Sequence, residues 1–294
     1  MKTQKQIPVT SYKASGFTEK YQNIVHSTVI PYQYSVLWDK ADGAEKSHVA
    51  ANFINDLFDY LKGTDREDRL GPERACAQGW ITQGAMKVGI GVIVILSCIS
   101  GLGLLYTSWG ELPHGGWELI VLGVFCVIFA FLYTTVLSYQ GWGDLLVLIF
   151  FGFVPVGGTY YVQAYTFTPN VIIASLISGL VIDTLLVVNN YRDRDQDALS
   201  GKRTLIVRFG EPFGRYLYLW LGIIATLLSF WFAQGWNYAG IFMPFTYLYF
   251  HVTTWKRMVK IRSGKKLNSI LGETSRNMLF MGILLSVIIA ITNR

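Results

Sequence analysis

The chain has 294 residues, of which 52% are hydrophobic and only 15% charged, and its formal net charge is +6. A soluble domain carries about a quarter of its residues as charges, so this composition argues against one and points to lipid as the solvent. The three cysteines, Cys76, Cys98 and Cys126, are isolated from one another, which argues against a CxxC zinc or redox motif and against a disulfide framework.

Residues 1–48 show no membrane or core pattern. Their most apolar stretch, residues 24–38, is interrupted by histidine, proline and glutamine and is too short and polar to span a bilayer. Four lysines among the first 20 residues, with no apolar run, do not predict a signal peptide. We expect an atypical, non-spanning segment here and a membrane domain over residues 49–294. A shifted reading frame or start would explain the abrupt change, and a peripheral extension or disordered tail would be the alternatives.

Seven later segments approach the roughly 20 apolar residues that a membrane-spanning helix needs. They are residues 81–106, 117–137, 145–162, 171–188, 216–233, 238–255 and 278–292. Trp and Tyr at several ends fit interfacial anchors. A shorter helix is predicted over residues 49–61. The fold class is therefore all-α, a polytopic transmembrane bundle of about eight helices.

Lys and Arg fall in alternate loops. Residues 62–80 hold four of them, residues 191–215 six and residues 256–276 seven, whereas residues 108–116, 164–170 and 234–237 hold none. The positive-inside rule places the three basic loops on the cytoplasmic side of the cell membrane. The positive charge is then a topology signal, and we expect no nucleic-acid partner.

Polar residues form a cluster at the start of the first basic loop. Asn55 and Asp59 are one turn apart on a helix and share a face, with Asp56 beside them. Asp65 follows in the loop. The basic residues that come next would complement phosphate oxygens, although topology alone would also explain them.

A second polar cluster continues the hydrophobic run of residues 171–188. Asn189, Asp193 and Asp197 recur every four residues and therefore stack along one helix face. Oxygen ligands of this kind suit Mg²⁺, which takes one or two carboxylates and completes its shell with phosphate oxygens and water. Two such faces could hold a diphosphate between two metal ions. Either cluster alone could simply cap a helix or face water, but two at the same membrane face favour a functional site.

At these residues the chain resembles a known family. The blocks NDLFDYLKGTDREDRLGP and NNYRDRDQDALSGKRTLIVRFG are similar to the two signature regions of the UbiA superfamily of intramembrane prenyltransferases. They are most similar to the branch that prenylates 1,4-dihydroxy-2-naphthoate in menaquinone biosynthesis. The resemblance covers residue 49 to the C-terminus and implies a nine-helix bundle, Mg²⁺ as cofactor and a polyprenyl diphosphate as donor.

The resemblance also assigns roles. Asn55 and Asp59 match the family's first NxxxD and Asp193 and Asp197 its second DxxxD, while Gly63 departs from the further Asp of the wider family. The expected catalytic residues are Asn55, Asp56, Asp59, Asp65, Asn190, Asp193 and Asp197. The expected metal ligands are Asn55, Asp59, Asn189, Asp193 and Asp197. The expected substrate-binding residues are Lys62, Arg66, Arg69, Tyr139, Arg192, Lys202 and Arg203.

Aromatic faces would stabilise an allylic cation without capturing it. The candidates by position are Tyr133, Tyr139, Trp142, Tyr160 and Tyr161, although packing alone would also explain each of them. Asp183, within the fourth predicted span, is expected to be buried and structural.

Three alternatives to this function stay open. A different aromatic acceptor would share the diphosphate site, and a membrane scaffold or transporter would use the acidic clusters for ion coupling. The third alternative is an inactive truncated product of the same family.

Overall fold

The computed structural model describes residues 50–63, 69–71, 74–110, 112–233 and 238–292. Within these ranges all regular structure is helical. The α-helices are α1 (Ala50–Leu61), α2 (Gln83–Ser108), α3 (Trp117–Leu132), α4 (Gly143–Val147), α5 (Gly158–Ala164), α6 (Pro169–Leu199), α7 (Leu205–Phe209), α8 (Glu211–Ser229), α9 (Tyr238–Ile261) and α10 (Asn268–Thr292). The predicted segment 1–48 and the predicted site residues Asp65 and Arg66 lie outside the described residues.

Six helical stretches among the described residues are long and apolar enough to cross a membrane. They are Gln83–Gly103, Trp117–Gln140, Gly143–Ala164, Pro169–Leu199, Glu211–Phe232 and Lys265–Ile291. The predicted span 238–255 does form a helix, α9, but α9 is not one of the six. It contains Pro244 and ends in a polar, basic stretch that includes Lys256 and Lys260.

The outer helices expose apolar side chains, and contact of these side chains with water would be unfavourable. Ile95 and Leu102 on α2 and Phe125 on α3 are 60%, 61% and 44% exposed. Contiguous apolar surface of this extent identifies a surface that contacts other apolar material. Together with the six long helices, it makes this chain an integral membrane protein whose outer helices face lipid.

Helix α6 is the central element. Thr168 caps its first turn by accepting a hydrogen bond from the Val171 amide, and Pro169 occupies the first turn, where its missing N–H costs nothing. The helix packs closely on the π-helical segment Leu148–Gly157, because a Cβ at Gly179 would lie 3.0 Å from the Leu148 Cα. It continues to Leu199, beyond the predicted end at residue 188. The second acidic cluster therefore sits on a continuous helix, as predicted.

Two apolar cores fix the parts of the site. The larger core joins α6, α8, α9 and α10 through buried residues such as Tyr191, Tyr218 and Ile270. A smaller core packs α1 against α2 through Ile54 and Met86. The acidic ends of α1 and α6 are thus held by separate cores.

π-helical turns flank the turn that joins α3 to α4. Tyr133–Leu137 precedes this turn and Leu148–Gly157 follows α4. Such turns re-aim side chains by inserting a residue into the helix and occur often at functional sites. The turn at residues 138–142 between them contacts the segment that follows α6, because the Arg203 amide donates to the Tyr139 carbonyl.

Candidate functional site at the basic end of the bundle

The three basic loops meet at one end of the bundle. Asn268, at the start of α10, donates from Nδ2 to the Leu70 carbonyl at 3.0 Å and accepts from Arg192 Nη1 at 2.9 Å. A single side chain thereby joins the first basic loop, the end of α6 and the third basic loop. The structure therefore groups the three basic loops at the same end of the bundle.

The first acidic cluster lies on one face of α1, and Arg74 neutralises it. Arg74 Nη2 lies 3.7 Å from Asp59 Oδ2. With its amide oriented to suit its neighbours, Asn55 donates to Asp59 Oδ2 at 3.2 Å and accepts from Arg74 Nη2 at 2.7 Å. Asn55 and Asp59 therefore act as a pair one helical turn apart, which the sequence spacing predicted.

Asp56 faces away from that pair. Its side chain is 5% exposed, and its two carboxylate oxygens accept hydrogen bonds from the backbone amides of Ala75 and Cys76 at 3.1 and 3.4 Å. These bonds anchor the loop that carries Arg74. Asp56 therefore holds this loop in place.

Arg192 is the hub of the second cluster. Its side chain is 3% exposed and donates from Nε and Nη2 to the two carboxylate oxygens of Asp193 at 2.7 and 2.6 Å. The loop at Gly71 lies directly against the guanidinium, since a Cβ on Gly71 would come within 2.8 Å of Nη2. Arg192, which was predicted to bind substrate, thus has its donors directed at protein partners and fixes the carboxylate of Asp193.

Asp197 lies one turn further along α6. Lys202 Nζ lies 3.6 Å from its Oδ1, while its Oδ2 is buried and has no hydrogen-bond partner among the described residues. Asn190 on the same helix is 7% exposed, whereas Asp195, on another face, is 82% exposed at its side chain. The orphaned oxygen of Asp197 is the one carboxylate atom of these two clusters that the described structure leaves in need of a donor or cation.

Lys62 reaches from the end of α1 to the turn after α3. Its Nζ donates to the Thr135 carbonyl at 2.8 Å and lies 3.7 Å from the centre of the Tyr139 ring. Partial burial lowers the pKa of Lys62, and the negative charge of Asp59 opposes this effect. Lys62 and Tyr139, predicted separately as substrate-binding residues, are therefore neighbours.

Arg69 lies between the two acidic clusters. Burial, together with the positive charge of Arg74, lowers the pKa of Arg69 to about 10, and the carboxylates of Asp193 and Asp59 act in the opposite direction. The guanidinium remains charged at neutral pH. It lies within electrostatic range of carboxylates from both α1 and α6, which is the strongest sign that the two clusters form one site.

The turn after α3 is fixed to the loop after α6. The Arg203 amide donates to the Tyr139 carbonyl at 2.9 Å, and Arg208 Nη2 donates to the Gln140 carbonyl at 2.6 Å. Gly141 has φ +80 and a Cβ there would lie 2.7 Å from the Arg203 carbonyl oxygen, so this turn requires glycine. The Arg203 side chain itself is exposed.

Not every predicted residue joins this group. Tyr161, at the other end of its span, donates to Glu118 Oε1 at 3.0 Å and stacks on Phe167, far from the acidic clusters in the fold. Tyr133 lines a cavity beside Asn190 instead. Asp144 lines the same cavity and was missed, because the predicted span began at residue 145. The signal in the sequence that could have identified Asp144 is its position as a carboxylate at the start of an apolar segment.

The residues present suit a hard cation such as Mg²⁺. The donor set consists of carboxylate and amide oxygens, and Asp197 Oδ2 is buried without a partner. No group of three His, Cys, Asp or Glu side chains in the described ranges is close enough to hold an ion by itself. A metal here would therefore take only some of its ligands from the protein. A second molecule would supply the others, as substrate phosphates do for Mg²⁺.

Fold and site together define a polytopic helical membrane protein with oxygen ligands and cationic side chains gathered at one end of the bundle. The chain belongs to the UbiA prenyltransferase family, whose model matches residues 47–284.

Three bacterial relatives are named 1,4-dihydroxy-2-naphthoate octaprenyltransferase. The chain is 38% identical to the Haemophilus influenzae protein over 191 residues (63% of this chain, 61% of the relative). It is 38% identical to that of Escherichia coli over 187 residues (62% and 60%) and 34% identical to that of Mycobacterium tuberculosis over 187 residues (62% and 61%). The matches thus span about three-fifths of the length of these relatives.

A solved structure from work on digeranylgeranylglyceryl phosphate synthase in membranes superposes with a TM-score of 0.50 at 19% identity, over 82% of this chain and 80% of that one. At this identity the likeness shows the fold alone.

Proposed function

We propose that the protein transfers a polyprenyl group from polyprenyl diphosphate to 1,4-dihydroxy-2-naphthoate, releasing diphosphate and carbon dioxide and giving demethylmenaquinol. The observation that carries this proposal is the convergence of Asp59 from α1 with Asp193 and Asp197 from α6 around Arg69 and other cationic side chains. The names of the bacterial relatives supply the donor and acceptor classes.

Magnesium is the proposed cofactor, and Asn55, Asp59, Asn189, Asp193 and Asp197 are the residues that would hold it. When bound, Mg²⁺ would neutralise the charge that builds up on a departing diphosphate. Asp197 Oδ2 is the best-placed protein atom for this purpose, because it is buried and otherwise without a partner in the described structure.

The cationic side chains bind the rest of the diphosphate. Arg74 and Lys202 lie 3.7 and 3.6 Å from their carboxylate partners, which are looser contacts than the 2.6 Å between Arg192 and Asp193. Looser pairs are more easily exchanged for phosphate oxygens. We therefore assign diphosphate binding to Lys62, Arg69, Arg74 and Lys202, and a positioning role to Arg192.

Aromatic side chains stabilise the positive charge that develops on the allylic carbon. The Tyr139 ring lies directly beneath Lys62 Nζ, so its π face is directed toward positive charge. An allylic cation formed next to the diphosphate would meet a similar surface. The π face of the ring would stabilise this positive charge.

The proposal extends to residues outside the site. The proposed prenyltransferase domain comprises residues 49–294, and the sequence expectation for residues 1–48 lies outside the described residues. The basic end of the bundle faces the cytoplasm across a bacterial inner membrane, because Lys and Arg are concentrated in the loops at that end. The water-soluble products then leave on the cytoplasmic side.

The test is an assay in membranes containing the protein, supplied with a polyprenyl diphosphate and 1,4-dihydroxy-2-naphthoate, with prenylated product measured by mass spectrometry. Product should require Mg²⁺ and disappear with excess chelator. Asp59→Asn and Asp193→Asn should each lower the rate on the order of 10²-fold, which is typical for loss of one charge-stabilising group.

Asp195→Asn is the matched control. It makes the same chemical change on the same helix at a side chain that is 82% exposed, so its rate should equal that of the wild type. Undiminished turnover in chelator would remove the metal from the proposal. Full activity in both Asp59→Asn and Asp193→Asn would remove the site.

A further inference from the structure

The end of α9 and the third basic loop together carry a strong positive charge. Residues 256–276 contain seven Lys and Arg and a single carboxylate, that of Glu273. All seven basic residues are exposed, and they are Lys256, Arg257, Lys260, Arg262, Lys265, Lys266 and Arg276. The four lysines of this set, all between residues 256 and 266, form what we term the lysine surface.

Carboxylates of the protein neutralise little of this charge. Arg257 forms an ion pair with Glu273. Arg262 Nε lies 3.9 Å from Glu211 Oε1, an oxygen that Arg215 already binds. No carboxylate among the described residues forms an ion pair with any of the four lysines. The lysine surface therefore differs from the proposed diphosphate site, where cationic side chains lie beside carboxylates.

Aromatic side chains mark the level of the membrane interface beside this surface. Tyr216 and Trp220, one turn apart on α8, are 58% and 54% exposed. Trp255 of α9 lies at the same level, since its Nε1 donates to the Arg215 carbonyl at 2.9 Å. Exposed Trp and Tyr on membrane helices are typical of the boundary between hydrocarbon and lipid headgroups.

The lysine surface begins directly beyond this aromatic level. Lys256 follows Trp255, and Lys260 is one turn further along α9, so the two lysines share a helix face. Lys265 and Lys266 open the short 3₁₀ helix that follows. One helical turn advances about 5.4 Å, and the headgroup layer on each side of a bilayer is roughly as thick. The ammonium groups of the α9 pair therefore lie at the depth of lipid phosphates.

The fold holds these lysines on the outside of the bundle. Met258, Leu267 and Ile270 are fully buried in the larger core. Because these buried residues are interspersed with the lysines along the chain, they fix which side of α9 and of the following turn faces outward. A charged surface that is fixed before it binds loses less conformational freedom on binding.

We propose that the lysine surface binds the phosphate groups of anionic phospholipids in the leaflet at the basic end of the bundle. Each Lys or Arg beside a membrane span raises the affinity for such lipids by roughly 5-fold. The position of the surface favours a lipid over a soluble polyanion, because its cations adjoin aromatic side chains at the headgroup level. The inference goes beyond the proposed function and does not require prenyl transfer.

Native mass spectrometry of the full-length protein in detergent measures lipid binding directly. The probes are phosphatidylglycerol and phosphatidylcholine with the same acyl chains, which differ in net charge, and the wild type should retain phosphatidylglycerol in preference. Two double variants, Lys256→Gln with Lys260→Gln and Lys265→Gln with Lys266→Gln, remove the charges in pairs. Each should lower the affinity for phosphatidylglycerol on the order of 10-fold and leave the affinity for phosphatidylcholine unchanged.

Lys256→Arg with Lys260→Arg is the matched control, because it keeps the positive charge at the same two positions and should keep the wild-type preference. A thermal melt with each lipid shows that the variants fold. Phosphatidylglycerol should raise the melting temperature of the wild type and of the arginine variant more than that of the glutamine variants. Equal retention of the two lipids by the wild type, or wild-type affinity for phosphatidylglycerol in both glutamine variants, would overturn the inference.

A melt with sodium diphosphate separates a lipid headgroup from a soluble anion. This anion should raise the melting temperature of the wild type and of the glutamine variants equally, because it lacks the acyl chains that hold a phosphate at the membrane level. A rise that depends on the lysines and is as large as that with phosphatidylglycerol would overturn the lipid assignment in favour of a soluble polyanion.

Discussion

Replacing Arg192 by lysine keeps the positive charge at the end of α6 but removes its planar fork. The guanidinium makes three hydrogen bonds, two to Asp193 at 2.7 and 2.6 Å and one to Asn268 at 2.9 Å. An ammonium group has all its donors on one atom and cannot bridge both oxygens of Asp193 while also reaching Asn268. We expect Arg192→Lys to lose the link to α10 and one bond to Asp193.

The magnitude follows from the number of bonds lost. A hydrogen bond to a charged group contributes about 1.5–3 kcal/mol, and a lysine recovers part of this, so the loss is about 2–4 kcal/mol of stability. The rate should fall further, because Asp193 is no longer held by two bonds. A displacement of about 1 Å in a catalytic group can lower a rate on the order of 10²-fold.

The measurement pairs a thermal melt in detergent with the prenyl-transfer assay. Arg257→Lys is the matched control, because Arg257 is 57% exposed in its ion pair with Glu273 and a surface pair contributes roughly 0–1 kcal/mol. The control should keep the wild-type melting temperature and rate. Wild-type values for Arg192→Lys as well would refute the view that the fork positions Asp193.

Two further predictions address the first cluster and the topology. Asp56→Asn should lower the free energy of unfolding by about 1–3 kcal/mol, because one acceptor for the amides of Ala75 and Cys76 is lost. The folded fraction should keep its KM values. A large drop in kcat at an unchanged melting temperature would instead place Asp56 in catalysis. In a cysteine-free background, Ser263→Cys should react with a membrane-impermeant label from the cytoplasmic side and Gln163→Cys from the opposite side. Labelling of both from one side would contradict the orientation inferred from Lys and Arg placement.

Helix ends were the least predictable part of the fold. Helix α6 extends past the predicted residue 188, and α10 begins at Asn268, well before the predicted residue 278. In both cases the extra turns are polar, so a hydropathy pattern does not register them. They stay helical because residues such as Tyr191 and Ile270 are fully buried against neighbouring helices.

The roles of adjacent acidic residues also required the tertiary structure. Asp56 and Asp59 are three positions apart and both were predicted as catalytic, yet Asp56 binds a backbone loop while Asp59 faces Arg74. Sequence spacing identifies which side chains share a helix face. It does not identify which distant segment packs on that face.

The sequence by itself determined that lipid is the solvent, where most of the spanning helices lie and that two oxygen-rich helix faces end at the same side. These features depend on local composition and on helical periodicity, which neighbouring residues fix. Only the tertiary structure decided that Arg192 is joined to Asn268, that Asp197 keeps a buried oxygen without a partner and that Asp144 faces a cavity. Those facts depend on contacts between residues far apart in the chain, and such contacts are set by how the helices pack.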